Sequence, residues 1–144
     1  MIDWFKSLFG ANPAHTQPDK QEQARIATAA LLYEVMRVDG DHHDDEHKVL
    51  MDKLAQRWSL TGDAARQLLH EAQRKAHHAV DYHHMVKLLR EHYNSEERIA
   101  LVRDMWDVAH ADNHVDPHEE HIIRKIADLL YVSHSEFIRA KLQR

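Results

Sequence analysis

The chain has 144 residues with three Gly, three Pro and no Cys, and its formal charge is −5. That length suits one domain with a real core. The absence of Cys excludes disulfides, thiolate metal sites and cysteine nucleophiles and fits a reducing compartment, and an acidic balance without a basic stripe argues against nucleic acid as a partner.

The opening MIDWFKSLFG crowds Ile2, Trp4, Phe5, Leu8 and Phe9 into a short amphipathic stretch, followed by the loose ANPAHTQPDKQEQ. Its apolar part is too short for a membrane span or a signal peptide, and Asp3 interrupts it. Two readings stay open: a terminal helix packed on its own domain, or a hydrophobic tether for a partner protein or the membrane surface. Residues 1–19 are therefore read as a segment and linker, and 20–144 as the domain.

The domain reads as helix throughout. Asp19 or a neighbour starts a helix to about Val38, with Ile26, Ala29, Ala30, Tyr33 and Met36 on one face. After Asp39-Gly40, Asp44 is a good N-cap for a second helix carrying Val49, Leu50, Leu54 and Trp58. Thr61 opens a third to about Ala76, with Ala65, Leu68, Leu69 and Ala72 inward. Asp81 caps a short fourth with Met85, Leu88 and Leu89. Ser95 begins the fifth, striped by Ile99, Val102, Met105, Trp106 and Ala109. Asp116, Pro117 and Glu119 together announce the sixth: N-cap, first-turn proline and capping-box glutamate. Ile122, Ile123, Ile126, Ala127 and Leu130 face inward there. Ser133 with Glu136 launches the last helix through Phe137, Ile138 and Leu142. The expectation is an all-α, single-domain bundle of about seven helices.

One segment occurs twice. Residues 25–46, RIATAALLYEVMRVDGDHHDDE, align without a gap on 98–119, RIALVRDMWDVAHADNHVDPHE. Arg25, Ile26, Ala27, Val35, Asp39 and Glu46 recur as Arg98, Ile99, Ala100, Val108, Asp112 and Glu119. Each unit is a helix, an acidic loop and a second helix. Neither unit can bury its apolar stripe alone, so the two should pack about an approximate twofold axis, with Tyr33 and Trp106 in equivalent core positions and the acidic loops gathered on one side.

An EF-hand needs Gly at the sixth loop position and Glu at the twelfth. From Asp39 these are Asp44 and Leu50, and from Asp112 they are Pro117 and Ile123, so neither loop qualifies. Asp44, Asp116 and Glu119 have a structural role available as helix caps, where the dipole and free N–H groups favour acids. Asp39 and Asp112 fall at helix C-termini, where the dipole disfavours an anion by up to about 1 kcal/mol. The same cost in both copies suggests compensation by a bound cation or by other helix N-termini. Carboxylates suit Ca or Mg, whereas the nearby imidazoles, His43 and His114 among them, would suit Zn, Ni or Mn, with Asp41 a further oxygen donor. Fifteen His are the compositional outlier, open to two readings: solvated polar positions, or pH response and transition-metal affinity.

The second loop, Ala111-Asp112-Asn113-His114-Val115-Asp116-Pro117-His118-Glu119, resembles the Ala-Asp-Gly-x-Ile-Asp-Pro-x-Glu pattern of the TerB-like family of bacterial tellurite-resistance proteins, and the DjlA-type N-terminal helical domain is similar. It departs at Asn113. The first loop keeps Asp39-Gly40 and Glu46 but has His42 and His43 where the pattern has Ile and Asp. The resemblance spans roughly 20–142. It implies an all-helical, non-enzymatic module of envelope or stress responses, cytoplasmic or peripheral to the inner membrane, with protein partners. It also implies acidic metal ligands, which carry over to Asp39, Glu46, Asp112, Asp116 and Glu119. A rival, the HD-type phosphohydrolase, would use His43-Asp44 and Asp112. It lacks an upstream His other than His42 and His15 in the linker. No phosphate loop, Rossmann fingerprint or Ser-His-Asp pattern is present.

Overall fold

A computed structural model of the chain describes residues 19–37, 44–78, 83–111 and 115–142. They form seven helices: α1 (Lys20–Arg37), α2 (Asp44–Trp58), α3 (Gly62–His78), α4 (His83–His92), α5 (Ser95–Ala109), α6 (Pro117–Leu129) and α7 (His134–Leu142). No strand occurs among the described residues. The all-α, single-domain expectation holds.

Local side-chain chemistry sets the helix starts. Asp19 caps α1, its carboxylate accepting from the Gln21 N–H at 3.0 Å and its carbonyl from Gln23 at 3.0 Å. Thr61 accepts from the Ala64 N–H at 3.2 Å and opens α3. At α7, Ser133 Oγ accepts from the Glu136 N–H at 3.2 Å while Glu136 Oε1 accepts from the Ser133 N–H at 3.0 Å. The fifth helix begins at Ser95, but its cap is the preceding residue, Asn94, in a capping box with Glu97. Each box satisfies N–H groups that a helix start otherwise leaves unpaired.

Two helix ends share a form the sequence does not announce. α2 and α6 each stop on a non-glycine residue in the left-handed region, Ser59 at φ 54° and Tyr131 at φ 62°. The next N–H then reaches back to a carbonyl of the last turn: Leu60 to Ala55 at 2.9 Å, Val132 to Ala127 at 3.0 Å. These are Schellman-type ends, and each passes directly to the Ser or Thr that caps the following helix.

α1 is the centre of the bundle. It packs on α3, α4 and α5 and also meets α2 and α6. The expected one-sided stripe is therefore too narrow: Ala24, Ile26, Ala27, Thr28, Ala29, Ala30, Leu31, Leu32, Val35 and Met36 are all buried. Its four alanines let neighbouring backbones approach from several directions. Thr28 satisfies its hydroxyl against Tyr93 Oη at 2.7 Å, which ties α1 to the turn before α5.

Trp106 on α5 is fully buried, with Phe137 and His110 at ring-centroid distances of 5.4 and 5.9 Å and the Lys141 ammonium 5.1 Å above its ring. Its repeat counterpart differs. Tyr33 is only half-buried against the core. The two aromatics are not equivalent core residues, since the outward strip of α1 gives Tyr33 access to solvent.

Several helix contacts join the two copies of the repeated sequence. α1 lies against α5, α1 also meets α6, and α5 meets α2. α3 packs on α1 and α2, as α7 does on α5 and α6.

Candidate functional site

α2 and α6 begin at aligned residues, Asp44 and Pro117, so Glu46 and Glu119 are each the third residue of their helix. Both are withdrawn from water, at 1% exposure. Carboxylates are rarely buried this deeply, because ionised groups lose hydration that must be replaced. Two matched glutamates in this state form the centre of the candidate site.

In the second unit much of the replacement is visible. Glu119 Oε1 accepts from the Asp116 N–H at 3.0 Å. Asp116 is the N-cap, and its Oδ1 accepts from the His118 N–H at 2.7 Å. The capping box read from Asp116-Pro117-His118-Glu119 is therefore formed. The same Oδ1 lies 2.9 Å from His118 Nδ1, although the imidazole itself is 77% exposed. Sequence reasoning did not foresee this carboxylate–imidazole contact, though their two-residue spacing at a helix start was the available signal.

Asp39, Asp41, His43, Asp112 and His114 lie outside the described residues, as do His15 and His42 of the hydrolase reading. α5 ends at Ala109 with His110 as its C-cap. Among the described residues no group of three or more His, Cys, Asp or Glu could hold a metal ion. Glu46, Asp116 and Glu119 are thus not brought together as one three-ligand cluster.

Ion pairs join the helices that carry these acids. Lys53 of α2 bonds Asp107 at 2.7 Å and lies 3.7 Å from Asp104, and Arg57 pairs with Asp104, all across the α2–α5 contact. Burial works against the Lys53 charge, but the hydrogen bond to Asp107 and the charges of Asp104 and Asp107 outweigh it, holding the ammonium above the usual lysine range. Burial pushes the Asp104 carboxyl above its usual range despite Arg57 and Lys53. Beside Glu119, Glu120 bonds Lys141 at 2.7 Å, which holds its carboxyl below the usual range.

A groove of about 740 Å³ runs between α1 and α3 and is lined by Glu22, Arg25, Asp63, Arg66, His70 and Glu71 among others. Its charges are mixed and internally paired: Arg25 with Glu22 at 3.3 Å, and Arg66 with Asp63. Neither Glu46, Asp116 nor Glu119 lines it.

An all-α bundle with buried glutamates at the third position of two corresponding helices is the class that fold and site define. Residues 25–142 match the family model described as tellurite resistance protein TerB, and the chain belongs to that family. Searches of curated proteins and of solved structures each gave no match.

Proposed function

We propose that this chain is a non-catalytic TerB-type binding module whose duplicated acidic loops hold a divalent cation in a bacterial stress response. The observation that carries the reading is the matched burial of Glu46 and Glu119 at the starts of α2 and α6, each directly after a loop with further acids. An all-oxygen set drawn from Asp39, Glu46, Asp112, Asp116 and Glu119 would suit Ca, Mg or Mn, with imidazole from His43 or His114 shifting the preference toward Zn. TerB proteins are generally non-enzymatic, which fits the incomplete hydrolase constellation. No helix among the described residues is long and apolar enough to cross a membrane. On this reading, residues 2–9 supply a tether to a protein partner or the inner-membrane surface from the cytoplasmic side.

Calorimetric titration of the full chain with Ca, Mg, Mn and Zn tests the cation. Saturable binding should weaken in Glu46→Gln plus Glu119→Gln, which keep the side-chain shape and, at Glu119, the capping acceptor. Thermal stabilisation should accompany it, about 2.7 kcal/mol at one hundred times Kd. Equal heats from variant and wild type would remove these glutamates from any site.

The capping box supports a second reading, a protein-interaction module without metal. The bonds made by Asp116 and Glu119 already give both acids a structural role. Divalent ions would then leave the melting temperature unchanged.

A further inference from the structure

The acidic loops leave unused an imidazole pair at the start of α6. His118 and His121 are both exposed and stand three residues apart on that helix. Residues at this spacing are neighbours on one face, with Cβ atoms roughly 5–6 Å apart. The same spacing serves metal ligation in helical bundles, where a Glu-x-x-His pair projects to one centre. The two imidazoles are not equivalent. The Asp116 carboxylate sits 2.9 Å from His118 Nδ1. A carboxylate accepts hydrogen bonds, so it selects the tautomer with the proton on Nδ1 and leaves the Nε2 lone pair free toward solvent. A carboxylate holding the far nitrogen of an imidazole is the recurrent support of a metal-bound histidine, fixing ring orientation and raising ligand basicity.

We propose that His118 and His121 form a surface chelate for a late transition ion (Cu²⁺, Ni²⁺ or Zn²⁺), with Asp116 as the positioning residue. Imidazole nitrogen is the donor that separates this ion class from the hard cations expected at the carboxylates. Two protein ligands plus water complete such a site, which a three-ligand cluster does not describe. The helix dipole opposes a cation here, since its positive end lies at Pro117. That term is small beside coordinate bonds, and the Asp116, Glu119 and Glu120 carboxylates around the same turn oppose it. Its donors are not the buried glutamates: they face solvent, while Glu119 faces inward at 1% exposure, and Asp116, also in the acidic set, is the residue the two readings share.

The test is a Cu²⁺ titration of the full chain, read by calorimetry and by line broadening of the histidine side-chain resonances. Substoichiometric Cu²⁺ should broaden His118 and His121 before the other histidines. The tight phase should vanish in His118→Ala and in His121→Ala. Asp116→Asn preserves a good helix cap. It should weaken Cu²⁺ by about tenfold and shift the His118 tautomer populations seen in its ¹⁵N resonances. Glu46→Gln plus Glu119→Gln should leave the tight phase intact. Broadening that begins at other histidines, a tight phase that survives His121→Ala, or its loss in the double glutamine variant would each overturn the proposal.

Discussion

Ser59 and Tyr131 hold a backbone conformation that costs an L-residue roughly 1–2 kcal/mol, because Cβ crowds the following carbonyl oxygen. Glycine removes that cost but has more freedom to lose on folding. Ser59→Gly should therefore raise stability by about 0.5–1 kcal/mol in urea unfolding, and a destabilised variant would contradict the strain argument. Tyr131→Gly should gain less, since Tyr131 also carries the Arg90 guanidinium 4.3 Å from its ring. The sequence concealed both turns because neither contains the Gly that usually marks a left-handed helix end. The buried Thr28–Tyr93 pair makes a second residue-scale prediction. Thr28→Val leaves the Tyr93 hydroxyl without this partner and should cost about 1–3 kcal/mol. Adding Tyr93→Phe should recover much of that loss, and a double variant no better than the single would show that packing dominates.

At the scale of elements, the starts of the helices were legible because capping is local chemistry. Asp19, Thr61, Ser133 and the Asp116–Glu119 pair each act within a few residues of the N–H groups they satisfy. Exposure was less legible, because it depends on which other helices arrive. α1 receives neighbours on several sides, so residues outside the predicted stripe, such as Leu31, Leu32 and Val35, became core while Tyr33 stayed at the margin. The capping box of α7 predicts a pH effect. Hydrogen bonds from the Ser133 backbone and hydroxyl hold the Glu136 carboxyl below the usual glutamate range. A folded value that is lowered gives stability above the ordinary value and loses it as pH falls through the folded one. Glu136→Gln should thus flatten part of the acid limb of the stability curve. Asp104 has the opposite sign, since burial raises its carboxyl. Its contribution falls as pH rises from the ordinary aspartate value through the raised one. Asp104→Asn should therefore compare better with wild type above that window than below it, measured by urea unfolding across pH. A difference that grows in the wild type's favour with rising pH would reverse the assignment.

Across the whole molecule, the arginine that opens each copy of the repeated sequence has taken two different jobs. Arg98 gathers three segments. Its Nε donates to the Tyr93 carbonyl at 3.0 Å, Nη2 to Arg90 at 3.1 Å and Nη1 to Leu130 at 3.4 Å, so one guanidinium ties α5 to the ends of α4 and α6. Arg90 reinforces the same corner by donating to the Leu129 carbonyl at 2.9 Å. Arg25, at the matched position, pairs with Glu22 one turn earlier and stacks 5.4 Å from the Trp58 ring beside an open groove. The alignment made these arginines equal because it records identity and not surroundings; α4, the turn after it and the end of α6 supply the carbonyls that Arg98 reaches. A lysine cannot reproduce a planar fork of donors directed at three carbonyls, and hydrogen bonds from charged groups contribute about 1.5–3 kcal/mol each. Arg98→Lys should therefore cost roughly 2–3 kcal/mol, because the ammonium still satisfies part of the set. Arg25→Lys keeps a cation near Glu22 and Trp58 and should cost less than about 1 kcal/mol, since the pair is partly exposed. Urea unfolding of the two variants side by side decides it: equal losses would mean that the first-copy arginine carries a structural load its contacts do not show, and that the two units have diverged less than their surroundings imply.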